Sequence, residues 1–243
     1  MAAFVPVSVV FAAPAGQITQ SSGYVAVSSP QGAPKPAGSG EPIERGQIVT
    51  LGDRARAVIK FRDGQIIALQ SKSVFKVNSY SYDQAAPEKG ESFFSLLQGG
   101  LRAITGLIGS SNRAGWKLAT PTATIGIRGT DFMTVGEYLK VDAGSVSATN
   151  SAGTEVFTAG QTASIATSTS LGVAVPASSI PAGTFSELSA INLSAVGGSA
   201  MGSAMSAPGT VFGVSTEVVV GVGIAAGVVA AANSNGGSTT THH

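Results

Sequence analysis

Cysteine is absent from this chain, which excludes disulfides, thiolate metal sites and a cysteine nucleophile while leaving the compartment open. Histidine is confined to His242 and His243, at a terminus too loosely held to carry a catalytic base. Charge is scarce as well, at 11% of residues. With a net charge of +1 and basic residues scattered singly between Lys35 and Lys140, no field gathers a phosphate backbone, so nucleic acid is not the expected partner. Aromatic residues make up only 6%, and no Lys or Arg follows Lys140. Such a chain does not read as a helical enzyme.

What it has instead is glycine, 32 residues of it, set among Ser, Thr, Ala and Val. That composition predicts short strands joined by tight turns, an all-β fold. The strongest local signal is AVIKFRDGQIIAL, where Asp63-Gly64 stands between two β-branched runs. A two-residue turn with both central φ angles positive suits that pair and would set Phe61 opposite Ile66 and Ile59 opposite Ala68. Both faces of this hairpin are partly apolar, so a layer is expected on each side of the sheet. In Ser73 to Tyr82 the inward phase changes near Asn78-Ser79, which predicts a bulge. FFSLLQGGLRAITGLIG reads as strand, turn, strand, because Gly99-Gly100 and Gly106 would weaken a helix. From Trp116 to Phe157 the gaps between strands leave no room for crossover helices, so pairing through tight turns is expected.

The ends differ from this middle. An apolar run from Ala2 to Ala13, followed by Ala13-Pro14-Ala15, reads as a secretory signal peptide over residues 1–15, although no Lys or Arg precedes the run. The competing assignment is a buried apolar strand, against which Pro6 and Pro14 count. The β domain is expected over 16–167, followed by a Ser/Ala/Gly-rich linker or extension at 168–217 of low complexity. Residues 218–232, VVVGVGIAAGVVAAA, form an apolar segment, and 233–243 a polar tail. Gly223 and Gly227 match the small-residue seam of associating membrane helices, but the run is shorter than the roughly 20 residues of a span. Membrane anchor, buried element and self-associating segment all stay open for it.

The most specific stretch is ATPTATIGIRGTDF, residues 119–132. Gly126 and Gly129 permit a bend, and Arg128 lies three residues from Asp131, close enough for an ion pair that would latch a corner. Recognition by an exposed Arg128 is the competing reading, and Thr130 and Phe132 complete the motif. Together with Gly23 to Val27, Phe61 to Gly64, Leu101-Arg102 after Gly-Gly, Ala143 to Val146 and Ala159 to Gln161, this stretch resembles the FecR-domain family of periplasmic regulators, from about Gly16 to Ile165. The resemblance implies a FecR-like β-roll or β-solenoid, secreted across the inner membrane to a periplasmic, outer-membrane-associated or extracellular place. It also implies sensing or signalling through an envelope protein partner. The chain shows no helical N-terminal region and no long apolar helix ahead of the domain, so direct anti-sigma activity is not expected.

An enzyme is not expected either. The expected β domain holds no histidine, cysteine or paired-carboxylate motif, and the chain has no Gly-x-Ser-x-Gly elbow, phosphate-cradling loop or calcium loop, so no catalytic, metal or cofactor residues are assigned. Tyr80 and Tyr82, flanked by serines, are candidates for an exposed aromatic surface, the sole support for a carbohydrate-binding module. The alternative to a sensor is a structural surface, matrix or filament protein that self-associates through strand edges and the 218–232 segment, which also allows membrane contact.

Overall fold

The computed structural model describes residues 13–193 and residue 196. Every described residue lies in one compact unit, within Met1–Ala204. The signal peptide expected at 1–15, except for its last three residues, lies outside the described residues, as do the apolar segment 218–232 and the polar tail. Among the described residues, no helix is long and apolar enough to cross a membrane.

The expected all-β fold is found. Among the described residues sixteen strands form one sheet: β1 (Gly16–Ser22), β2 (Val25–Ser28), β3 (Lys35–Pro36), β4 (Pro42–Ile43), β5 (Ile48–Leu51), β6 (Arg56–Phe61), β7 (Ile66–Leu69), β8 (Val74–Ser81), β9 (Glu91–Gln98), β10 (Gly100–Ile104), β11 (Trp116–Ala119), β12 (Thr124–Val135), β13 (Tyr138–Asn150), β14 (Gly153–Thr158), β15 (Thr162–Ser164) and β16 (Val173–Val175). Of the α-helices among the described residues, α1 (Leu107–Ser111) lies between β10 and β11, and α2 (Ser186–Ser189) follows β16.

The strand order is β3-β2-β5-β8-β9-β11-β12-β10-β7-β6-β1-β4, with β13 beside β12 and carrying β14 and β15, and β16 beside β15. β6 and β9 are five places apart in this order, about 24 Å in a flat sheet. Yet the rings of Phe61 and Phe94, one from each, have centroids only 5.0 Å apart. The sheet therefore curls upon itself, and its concave face encloses the main core, in which Phe61, Phe75, Phe94, Trp116 and Phe132 are nearly inaccessible.

At β9 and β10 the pairing departs from a simple hairpin. β9 and β10 follow each other across Gly99 but do not pair; β9 joins β8 and β11, whereas β10 joins β7 and β12. The stretch from β10 through α1 serves as a crossover, and β11 returns parallel to β9. A crossover of this kind is what a parallel pair requires, and here a strand and one helical turn supply it.

The hairpin at Asp63-Gly64 also differs from expectation. Gly64 alone of the pair has positive φ, +83°. Its N–H donates to the Phe61 carbonyl at 3.0 Å, and the Phe61 N–H donates to the Gln65 carbonyl at 2.9 Å. This is a three-residue loop ending in a left-handed glycine, and it shifts the register by one, so that Ile59 faces Ile67 and Val58 faces Ala68. Both faces are apolar as expected: Ile59, Phe61, Ile67 and Leu69 enter the main core, whereas Val58, Ile66 and Ala68 point outward.

A layer covers that outer face, and it comes from beyond the expected domain end at 167. Leu188, Ile191, Leu193 and Val196 pack on Val58, Ile66, Ala68, Ile104 and Met133 in a second cluster. The Glu187 carboxylate accepts from the Ser71 N–H at 3.1 Å and from its hydroxyl at 2.8 Å, and Lys60 Nζ donates to the Val196 carbonyl at 3.0 Å. Residues 173–193 and 196, part of the stretch read from composition as linker or extension, thus include an edge strand and a strap.

Candidate functional site

The 119–132 motif begins as a turn. Thr120 closes it from both sides: its hydroxyl donates to the Ala123 carbonyl at 2.9 Å and accepts from the Ala123 N–H at 3.1 Å. β12 then pairs with β11 at Thr124-Ile125 and with β10 from Asp131 to Val135, while β13 accompanies it throughout. Gly129-Thr130 is the point where β12 changes partner. The register with β13 slips there, Gly129 has φ +58°, and Gly144 lies opposite. A Cβ on Gly144 would collide with the Gly129 carbonyl and stand 2.6 Å from that of Arg128, so backbone meets backbone at this corner.

Asp131 is held, but not by Arg128. Arg102, on the neighbouring β10, grips it with two parallel bonds, Nε to Oδ1 at 2.8 Å and Nη2 to Oδ2 at 2.6 Å. The side chains are 20% and 7% exposed. The bond to Asp131 pushes the Arg102 guanidinium above its ordinary value, against the opposing effect of burial. Beside it, Thr105 accepts from the Thr130 N–H at 2.8 Å and donates to the Thr130 carbonyl at 3.0 Å. Phe132 is fully buried and meets Trp116 edge-on, 6.0 Å between centroids. The expected Arg128–Asp131 latch is thus replaced by Arg102–Asp131, because the bulge turns Asp131 toward β10. Arg128 is exposed and makes no ion pair or side-chain hydrogen bond among the described residues.

Arg128 stands on a flat patch of small side chains. Directly opposed residues of β12, β13 and β14 form three rows: Thr124, Thr149 and Thr154; Gly126, Ser147 and Val156; Arg128, Ser145 and Thr158. All nine are exposed or half-buried, and Val156 is 58% exposed. The strap covers the other part of the outer face and leaves these rows free. Chemically the patch offers hydroxyls and a guanidinium fork without a partner among the described residues, groups suited to hydrogen bonding.

The Asp63-Gly64 turn leads inward. The Asp63 carboxylate accepts from the Tyr80 hydroxyl at 3.1 Å and from the N–H groups of Gln65 and Ile108, both at 3.3 Å, tying α1 to the hairpin. Burial pushes its carboxyl up from 3.8, against the lowering effect of these bonds. Burial likewise pushes the Tyr80 phenol above its ordinary value, assisted by the Asp63 charge. Gln65 accepts from the Trp116 indole N–H in the same layer. Tyr80 is only 5% exposed, so it is no part of an exposed aromatic surface; the predicted bulge, found between Val77 and Ser79, swings it into the core. Tyr82 is half-buried against the same core. Sequence reasoning missed Arg102 as the partner of Asp131 and Asp63 as a buried group. An Arg immediately after Gly99-Gly100-Leu101 was visible, but not its strand neighbour.

Residues 47–150 match the model of the family described as FecR protein, which is the resemblance carried by the 119–132 motif. Two crystal structures described as "a putative anti-sigma factor from Parabacteroides distasonis" are similar at 11% identity and a TM-score of 0.42, over 53% of this chain. The chain spans 58% of the length of those chains. A search of the curated proteins found no match.

Proposed function

We propose, from the FecR domain at residues 47–150, that this protein is a non-enzymatic recognition domain in envelope sensing or signalling, and that the uncovered patch around Arg128 meets a protein partner. One observation carries the choice of face. Within the motif Gly129, Thr130, Asp131 and Phe132 are committed to the corner, whereas Arg128 is exposed and its donors meet no partner among the described residues. A rigid fork on a rigid strand is pre-organised for a partner carboxylate, and flanking hydroxyls adapt to backbone groups. The non-enzymatic reading is supported by the buried acids, since Asp63 and Asp131 are both engaged in bonds that hold shape. The export reading is supported by the apolar N-terminal run.

The test is a photo-crosslinking residue at Ser147, beside Arg128, with one at exposed Gln17 as control, in cells of the source organism. A crosslinked protein product at Ser147 that Arg128→Ala abolishes, while the melting temperature holds, supports recognition. Equal labelling at both positions, or labelling indifferent to Arg128, sinks it.

Self-association is the second reading, and a specific observation favours it. Among the described residues β14 pairs only with β13, leaving a strand edge beside exposed Val156. A size-exclusion profile that shifts with concentration, and that Val156→Lys restores to monomer, would favour this reading over the sensor.

A further inference from the structure

We infer that the chain is processed between Ala12 and Ala13, three residues earlier than the small-residue pattern at Ala13-Pro14-Ala15 suggests, so that the mature protein starts at Ala13. This rests on the export reading above. The fold argues against the product of a cut after Ala15. Ala15 is 2% exposed and belongs to the main core. Its N–H donates to the Ile43 carbonyl at 2.8 Å, and its carbonyl accepts from the Arg62 N–H at 3.1 Å. Gly16 is buried between two strands, partnered with Ile43 on β4 and Phe61 on β6. A Cβ at Gly16 would already stand 2.7 Å from the Lys60 carbonyl.

A chain beginning at Gly16 would lose both Ala15 bonds and place an ammonium in this enclosed position, where an unpaired charge is strongly disfavoured. Ala13 and Pro14, by contrast, are exposed, so a terminus at Ala13 keeps its charge in water. A signal peptidase acts before folding, and the fold does not block either cut; it decides which product forms a stable β1. Upstream, Val10-Phe11-Ala12 sets a small residue directly before the scissile bond and a compact one two positions further back, whereas cleavage after Ala13 would put Phe11 in that outer place. The reaction is hydrolysis. The amide bond breaks, the water oxygen joins the Ala12 carbonyl carbon, and both water protons end on the Ala13 nitrogen, giving a carboxylate and an ammonium.

The full chain with its own N-terminus is expressed in a Gram-negative host, and the periplasmic product is read by intact mass and N-terminal sequencing. The expected sequence begins Ala-Pro-Ala-Gly-Gln. A start at Gly16 overturns this inference and leaves the export reading standing; an uncut chain retained in the cytoplasm overturns both. Ala12→Leu separates the sites further. It should leave uncut precursor in the membrane fraction, whereas maturation at an unchanged rate shows that the cut does not depend on Ala12.

Discussion

Two arginines border Asp131 in space or in sequence, and the sheet assigns them opposite duties. Arg102 and Asp131 form a two-bond pair with little solvent access, so removing one partner strands the other. Asp131→Asn should cost about 2 kcal/mol, below the full range for a buried pair because Arg102 keeps some contact with water. Arg128→Met should stay within about 0.5 kcal/mol of the parent, as for surface positions without partners. Urea midpoints of the two variants check this, and a fall for Arg128→Met as large as for Asp131→Asn would return the latch to Arg128. Asp63 gives a pH signature. Its carboxyl is pushed up from 3.8 in the folded chain, so the folded state binds the proton more tightly than the unfolded one. Stability from this group is complete below 3.8 and is lost as pH rises through the folded value. Asp63→Asn should remove that fall with rising pH from the urea midpoint, at a constant cost of about 1–2 kcal/mol for the lost bond. A variant whose midpoint falls with pH as steeply as the parent's would show that another group titrates.

At the scale of elements, the strap tests how much a few bonds can hold. Glu187 joins α2 to Ser71, two residues beyond β7, through a backbone and a hydroxyl donor. Glu187→Ala should release roughly 1–2 kcal/mol of local protection. Hydrogen exchange at Ser71 and through 186–191 should quicken while the main core amides stay slow. Uniform quickening everywhere would mean that the strap and the sheet open as one unit. The elements also show where the sequence was legible. Alternation made the hairpin and its two apolar faces readable, and a parity change exposed the bulge in β8. The register was not readable, because Asp-Gly serves a two-residue turn or a three-residue loop equally well, and one residue of slip exchanges the pairs. The Arg102–Asp131 bond joins residues 29 apart across a strand pair that local pattern does not specify. Tyr80 was misassigned on its serine neighbours, although the bulge that turns it inward was itself readable.

For the molecule as a whole, a curled sheet solves only half of the burial problem. Its concave side closes over the main core, but Val58, Ile66, Ala68, Ile104 and Met133 face the other way and need a cover. Composition hid that cover, since the strap is drawn from the same Ala, Ser, Gly and Thr as the segments around it and contributes its apolar side chains one at a time, at Leu188, Ile191, Leu193 and Val196. A chain ending at Thr167 loses the edge strand β16 but should keep β1 to β15 and yet expose a contiguous apolar face of the kind that drives association. Compared with a chain ending at Ala204, it should bind more of a hydrophobic dye such as ANS, elute earlier from a sizing column as its concentration rises, and melt at lower temperature. Replacing Ile66 and Ile104 by Thr in the shorter chain should reduce the association without restoring the melting temperature, because the face becomes wettable but remains uncovered. Equal dye binding by the two chains would mean that the outer face is protected by something other than the strap, and the boundary at 167 would then be a sufficient end for the domain.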